Sequence, residues 1–409
     1  MKKIKKIISM CIALATTICI LQGCTDNKKK ETYSEDTLNI WANMINDDSK
    51  TYNEIAEKWS ENHNGMKVNF IDSDVSATDY IENELKPDIV LGMDTREAEK
   101  VVLAKCADEI PGELFSDDEF TSKDLIDVIT INGKKYGVPF TQDTPILFYR
   151  KDKVNNVPET MEDLIKDAED VGFTTTIDDK FINYGFMSAY GGYYYKYNED
   201  GTFDDHNIGC DTKEAIEGYE FIYDLVNKYK FCLAGTTDMM ATNGFESGKC
   251  GYYIGEYGRV RTFNNHNIDF GVSKIPTLNG NEVKPFKIVT MSVVNPNSSK
   301  KDLAWDFLRY FMDEASEYVM TSNPKAPVLK KSLDTDSYKN SEYLSEFYKQ
   351  SLSAEPYPNI ISASIYGSAI DNNISAMTLK QMTPEECASQ IKSDLIESRE
   401  QTITGSSEK

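Results

Sequence analysis

"TLNIWANM", residues 37–44, and "KVNFI", residues 67–71, bracket the stretch whose reading decides the fold. Leu38, Ile40 and Trp41 alternate with or adjoin one another in the first run, and Val68, Phe70 and Ile71 do so in the second. Between them Tyr52, Ile55, Ala56 and Trp59 recur at helical spacing, so an amphipathic helix is expected between two strands. "DIVLG", 88–92, follows as the apolar run that a parallel strand buried on both faces requires. Strand, helix, strand in this order places the chain in the α/β class.

Further along, Thr160-x-x-Asp163 predicts a helix start and Gly172 its end. Asp211-x-x-Glu214 opens another predicted helix, with Ile216, Tyr219, Ile222 and Val226 on one face. Leu303, Trp305, Phe307 and Phe311 read as packing residues. The chain is longer than one hydrophobic core supports, so at least two domains are expected.

The N-terminus reads as an address. Lys2, Lys3, Lys5 and Lys6 precede an apolar run, Ile7 to Leu21, that is too short to span a membrane and has the form of a secretory signal. It ends in Leu21-Gln22-Gly23-Cys24, which resembles a bacterial lipobox. Cys24 is therefore expected to be the diacylated first residue after a signal at 1–23. Residues 24–36, charged and without apolar period, read as a tether on the extracytoplasmic face of the cell membrane.

The sequence holds 67 acidic and 44 basic residues, a net charge of −23, and loss of the signal removes four Lys and no acid. Nucleic-acid affinity rests on basic side chains neutralising phosphates, so no nucleic-acid partner is expected. The protein is expected to be a monomer. Cys106, Cys210, Cys232, Cys250 and Cys387 show no CxxC or Cys/His spacing, and His63, His206 and His266 are scattered, so neither a metal site nor a disulfide scaffold is expected. "YGGYYYKYNEDGTFD", 190–204, collects five Tyr in eight positions. Strand alternation before the turn at Asn198–Gly201 puts Tyr193, Tyr195 and Tyr197 on one face, as core or hairpin cover.

"NGKKYGVPFTQDTPILFYRKD" (132–152), "PETMEDL" (158–164), "GYYIGEYG" (251–258), "DFGVSKIPTLNG" (269–280), "KDLAWDFLRYF" (301–311) and "NPKAPVLKKS" (323–332) follow one another in an order and spacing that resembles the extracellular sugar-binding proteins of ABC importers. The Gly-Gly-Tyr hairpin is similar to that of the maltose and maltodextrin-binding members. The resemblance implies two α/β lobes of the periplasmic-binding-protein type, joined by a hinge and holding the ligand in a cleft between them. It places 37–143 and 273–325 in lobe one and 144–272 and 326–402 in lobe two. It further implies a saccharide ligand, ABC permease subunits as partners, and no cofactor.

A sugar offers hydroxyls that need hydrogen-bond partners and a C–H face that packs on an aromatic plate, so a sugar cleft pairs carboxylates with rings. Carried over by residue, the resemblance implies Asn43, Asp48 and Lys50 at the mouth of the first helix and Asp94 after the third strand. On the second wall it implies Asp143, Asp179, Phe181, Tyr184 and Tyr257. Two aromatic plates of maltodextrin binders align with Gly92 and with Gly367-Ser368, and a nearby basic position with Asp371; Tyr366 stands one residue from the second plate. This departure favours a different or shorter saccharide. A glycosidase needs two carboxylates at a set separation, but the likeness is to binders throughout and no GxSxG, HExxH or P-loop pattern appears, so no enzyme is expected.

Because acyl chains attach through the thiol, Cys24→Ala is expected to move the protein from the detergent phase to the aqueous phase on detergent partitioning. A variant that stays in the detergent phase refutes the lipid anchor.

Overall fold

Among the described residues ten strands make the two main sheets, and the first is assembled from distant parts of the chain. A computed structural model describes residues 33–44, 48–112 and 114–407, with the side chains at 364–366 and 402–407 excepted; Cys24 and most of the tether lie outside the described residues. Strands β1 (Thr37–Ala42), β2 (Lys67–Asp72) and β3 (Ile89–Asp94) pair in parallel in the order β2-β1-β3. Helix α1 (Asp48–Glu61) buries Tyr52, Ile55, Ala56 and Trp59, the predicted face. Strand β4 (Val138–Asp143) leads almost at once into β5 (Pro145–Arg150), then come β6 (Phe173–Thr175), β7 (Tyr252–Glu256), β8 (Phe270–Ser273) and the long β9 (Phe286–Val294). Antiparallel β9 lies between β3 and β4, and the two-residue strand β10 (Glu355–Pro356), parallel to the start of β9, completes the first sheet.

The second sheet runs β8-β5-β7-β6. Period-two alternation sends its side chains to opposite faces. Leu147, Tyr252 and Ile254 enter one core, whereas Ile146, Phe148 and Tyr253 enter another. Burial on both faces is what helices covering both sides of a sheet produce. The first sheet has its own core, to which the helix α2 (Lys301–Ser322) adds Phe307 and Phe311. Trp305 is a packing residue as expected, with its indole N–H donated to Asp108 at 2.9 Å. Among the described residues no helix is long and apolar enough to cross a membrane.

Two lobes result, one around each sheet, and the chain runs between them at three places. The first passage is Asp143-Thr144-Pro145, the second lies between β8 and β9, and the third follows α2. The segment between β8 and β9, expected with the first lobe, packs Ile275, Leu278 and Val283 into the second lobe's core. Val328 and Leu329, expected with the second lobe, return to the first core.

Local signals work where a cap or a glycine decides the geometry. Thr160 caps the helix Met161–Val171 by accepting the Asp163 N–H at 3.1 Å, and Gly172 follows at φ +83°. The next predicted start shifts by one residue, since Thr212 and not Asp211 is the cap; Asp211 pairs with Lys392 at 2.8 Å instead. The Tyr cluster departs from its expected alternation. Its strand is only Lys196–Tyr197, and the adjacent Tyr194 and Tyr195 are both buried, so Tyr193, Tyr195 and Tyr197 do not share a face. Tyr197 instead donates to Asp127 of the first lobe at 2.7 Å.

Two rings expected at the cleft belong to the core. Tyr184 stacks on Phe286 with centroids 3.6 Å apart and donates to Glu355 at 2.5 Å. Tyr257 is fully buried, lies flat on Phe347 at 4.0 Å, and donates its hydroxyl to the Phe347 carbonyl at 2.7 Å. The helix Leu344–Ser353 supplies that covering ring, and nothing local to "GYYIGEYG" announces it. Tyr257→Ala is therefore expected to cost about 3–5 kcal/mol of stability, as for other large buried aromatics. Denaturant unfolding checks this, and parent-like stability would show that the ring is not structural.

Candidate functional site

The cleft floor is built by irregularities in β-pairing. Thr290 of β9 faces Thr141 of β4, but Met291 faces Pro139, which leaves Phe140 as the extra residue of a β-bulge. A bulge re-aims a side chain out of strict alternation, and both Phe140 and Thr141 border the same cavity. On the other edge of β9, Met291 faces Met93 and Val293 faces Val90, so Leu91 and Gly92 together oppose Ser292. Gly92 has φ +82°, a conformation that favours glycine, and the side chain it lacks would point at the Phe140 ring, whose nearest atom is 3.5 Å away. The aromatic plate missing at Gly92 is thus a backbone requirement, and Phe140 presents a ring beside it.

Two cavities meet over this floor. One, of about 210 Å³, is lined by Asp143, Asp179, Phe181, Glu256 and Phe286 among others. Another, of about 280 Å³, is lined by Asn43, Asp48, Tyr52, Gly92, Phe140 and Asn323 among others. Thr141, Thr290 and Lys325 border both, so the two are halves of one cleft between the lobes.

In the first half, Asp179 caps the helix α3 (Lys180–Ala189) by accepting the Phe181 N–H at 2.7 Å. Burial raises its carboxyl above the usual range, and the charge of Asp371 adds to this. Two cations lie near Phe181: the Arg96 guanidinium is 5.4 Å and the Lys180 ammonium 4.9 Å from its ring centre. Glu256 keeps solvent contact at the rim, yet enclosure by the walls, followed by the charges of Asp143 and Asp179, raises its carboxyl. Asp143 lines the cavity with both oxygens engaged, one by Lys325 at 2.5 Å and the other by the Tyr257 N–H at 3.3 Å.

In the second half, Asn43 is exposed at the end of β1. Asp48 is buried at the start of α1, where a carboxylate suits the helix dipole, and accepts the Tyr318 hydroxyl at 2.9 Å. Lys50 is exposed on α1 and lines neither half. Asp94 also stands outside the lining, because Arg96 takes it up through the backbone N–H at 2.9 Å, Nε at 2.8 Å and Nη2 at 2.5 Å. Its role is to aim Arg96 at Phe181 and at Tyr357, 5.7 Å away. The side chain of Tyr366 lies outside the described residues.

The second missing plate has a physical reason too. A Cβ on Gly367 would lie 2.8 Å from Lys180 Cε, and Lys180 reaches past it to Asp371 at 2.9 Å. An ion pair fills that space. Phe140, Arg96 and Lys325 were not singled out by sequence reasoning. The bulge that turns Phe140 has no local signature, although its place two residues from Gln142 and three from Asp143 marked it as close to the crossing. Among the described residues no group of three or more His, Cys, Asp or Glu is placed to hold a metal ion.

Carboxylates, two aromatic faces and hydroxyl-bearing Thr side chains converge here on a water-accessible space, a set that can bind polyhydroxylated solutes. Comparison with known proteins agrees with this geometry. The chain is 29% identical over 252 residues to the maltodextrin-binding protein MdxE of Bacillus subtilis, covering 57% of this chain and 59% of that protein. It is 27% identical over 274 residues to the galactooligosaccharide-binding protein of the same organism, covering 64% and 65%. These alignments span less than two thirds of either relative's own length. The crystal structure of the maltose-maltodextrin binding protein of Alicyclobacillus acidocaldarius superposes with a TM-score of 0.79 at 26% identity, covering 88% of this chain and 99% of that one. A cyclo/maltodextrin-binding protein solved with maltotetraose shares the fold, with a TM-score of 0.80 at 19% identity over 90% and 98% of the two chains. Residues 44–318 match the sequence profile of the bacterial extracellular solute-binding proteins, and the chain belongs to that family.

Proposed function

We propose that this protein captures an oligosaccharide, of the malto-oligosaccharide class, between its two lobes and delivers it to the permease of an ABC importer. It does so as a monomer held on the outer face of the membrane by lipid at Cys24. The observation that carries the reading is the cleft in which Phe181 and Phe140 face a space ringed by Asp48, Asp179 and Glu256. Rings pack on the C–H faces of a sugar and carboxylates accept from its hydroxyls, whereas hydrolysis would need an acid and a nucleophile flanking a scissile bond. Names of similar proteins from Bacillus subtilis support the class, one a maltodextrin binder and the other a galactooligosaccharide binder. The absent plate at Gly92 favours a ligand shorter than long glucose polymers, so maltose and maltotriose are the first saccharides to test, with galacto-oligosaccharides beside them.

A thermal-shift panel of these sugars tests the reading, since a ligand at 100 times its Kd stabilises the folded state by about 2.7 kcal/mol. No shift with any member of the panel refutes it. For a sugar that does bind, Phe181→Ala is expected to weaken affinity by about 1–2 kcal/mol, roughly tenfold, through lost stacking area. Titration calorimetry measures this, and parent-like affinity would remove Phe181 from the site.

A further inference from the structure

The three passages between the lobes converge on one charged pair. Asp143 is the last residue of β4 in the first sheet, and Pro145, two positions on, opens β5 in the second. It stands opposite Ile288 of β9, the strand that ends the second passage. Its Oδ2 accepts from Lys325, which follows α2 on the third passage, and its Oδ1 accepts the N–H of Tyr257, whose ring is locked in the second lobe's core. The carboxylate therefore ties the first passage to the third and to one lobe's core, while the backbone of Asp143 pairs with the strand that ends the second. Among the described residues Lys325 is the one cation lining the two halves of the cleft, and it borders both.

We propose that the Asp143–Lys325 pair couples occupancy of the cleft to the relative position of the lobes, with Lys325 as a positioning residue that acts through Asp143. This rests on the reading of the cleft as a saccharide site. Each side chain is about 20% exposed, so the pair is neither sealed in the core nor freely solvated. An ion pair in that position is stable enough to hold a geometry and weak enough to be rearranged by a competing donor. A saccharide hydroxyl entering beside Asp143 meets an acceptor already engaged. It must share Oδ2 with the ammonium or displace it, and the ammonium in turn gains a sugar oxygen as acceptor. Either exchange shifts Lys325, and with it the third passage, relative to β4.

The test uses the mature chain carrying Cys24→Ala, so that no acyl chain interferes, in parent, Asp143→Asn, Lys325→Met, Lys325→Arg and double Asp143→Asn/Lys325→Met forms. Lys325→Met keeps the stem and removes the charge. It is expected to raise the ligand-free radius of gyration in small-angle scattering and to weaken maltotriose binding roughly five- to tenfold, with Lys325→Arg returning most of both. The two single losses in affinity should also fail to add in the double variant, as expected of residues acting as a unit. An unchanged ligand-free radius in Lys325→Met, additive effects, or equal losses in the Met and Arg variants would overturn the coupling. The scattering arm needs no sugar. A parent that binds no saccharide therefore refutes the proposed function while the scattering still decides the pair.

Discussion

Strand β9 has to satisfy its backbone on two edges at once, and the cleft follows from that requirement. It runs antiparallel to β3 on one side and β4 on the other, so its N–H and C=O groups are claimed by segments far apart in the chain. Neither neighbour matches it residue for residue. β4 carries a bulge between the partners of Thr290 and Met291 and β3 one between those of Met291 and Val293, and these bulges bring Phe140 and Gly92 to the floor of the cleft. Extra hydrogen bonds pin the arrangement, from the Thr95 hydroxyl to the Val289 carbonyl at 2.8 Å and between the Thr141 and Thr290 hydroxyls at 2.8 Å. The floor is rigid because it is sheet, and it is shaped because the sheet is imperfect.

Charge is distributed around that floor in buried or half-buried pairs. Lys287, almost without solvent contact, donates to the Ser351 carbonyl at 2.9 Å and pairs with Asp124 of the first lobe. Lys180 and Asp371 do likewise beside α3. Such pairs add little net stability compared with apolar packing, but losing one partner leaves a charge stranded, which is strongly unfavourable. Their effect is to restrict the arrangements that the lobes and hairpins can adopt.

What could be read in advance was what depends on local spacing. The buried face of α1, the parallel strands beside it, the cap at Thr160 and the turn at Gly172 are all consequences of a few adjacent residues. Asn43, Asp48, Asp143, Asp179 and Phe181 were placed at the cleft by family resemblance and not by local spacing, and each lines one of its two halves. Tyr184 and Tyr257 do not, because each is covered by a ring far away in sequence, Phe286 and Phe347, that only the folded chain brings over it. Asp94 was misjudged for a shorter-range reason: Arg96, two residues on, claims its carboxylate three times over. Phe140 escaped notice because a bulge is a property of two strands and cannot be seen in one.

The position of β9 in the chain also sets the order in which the molecule can be completed. Thr95 and Val289, joined in the finished sheet, are separated by 194 positions. Until residue 294 has been synthesised, β3 exposes an unpaired edge and β4 has no strand to join. Closing so long a loop is slow, because its entropy is lost before the contacts form. A growing chain of this topology stays incompletely folded through most of its synthesis, with its first lobe open at the middle.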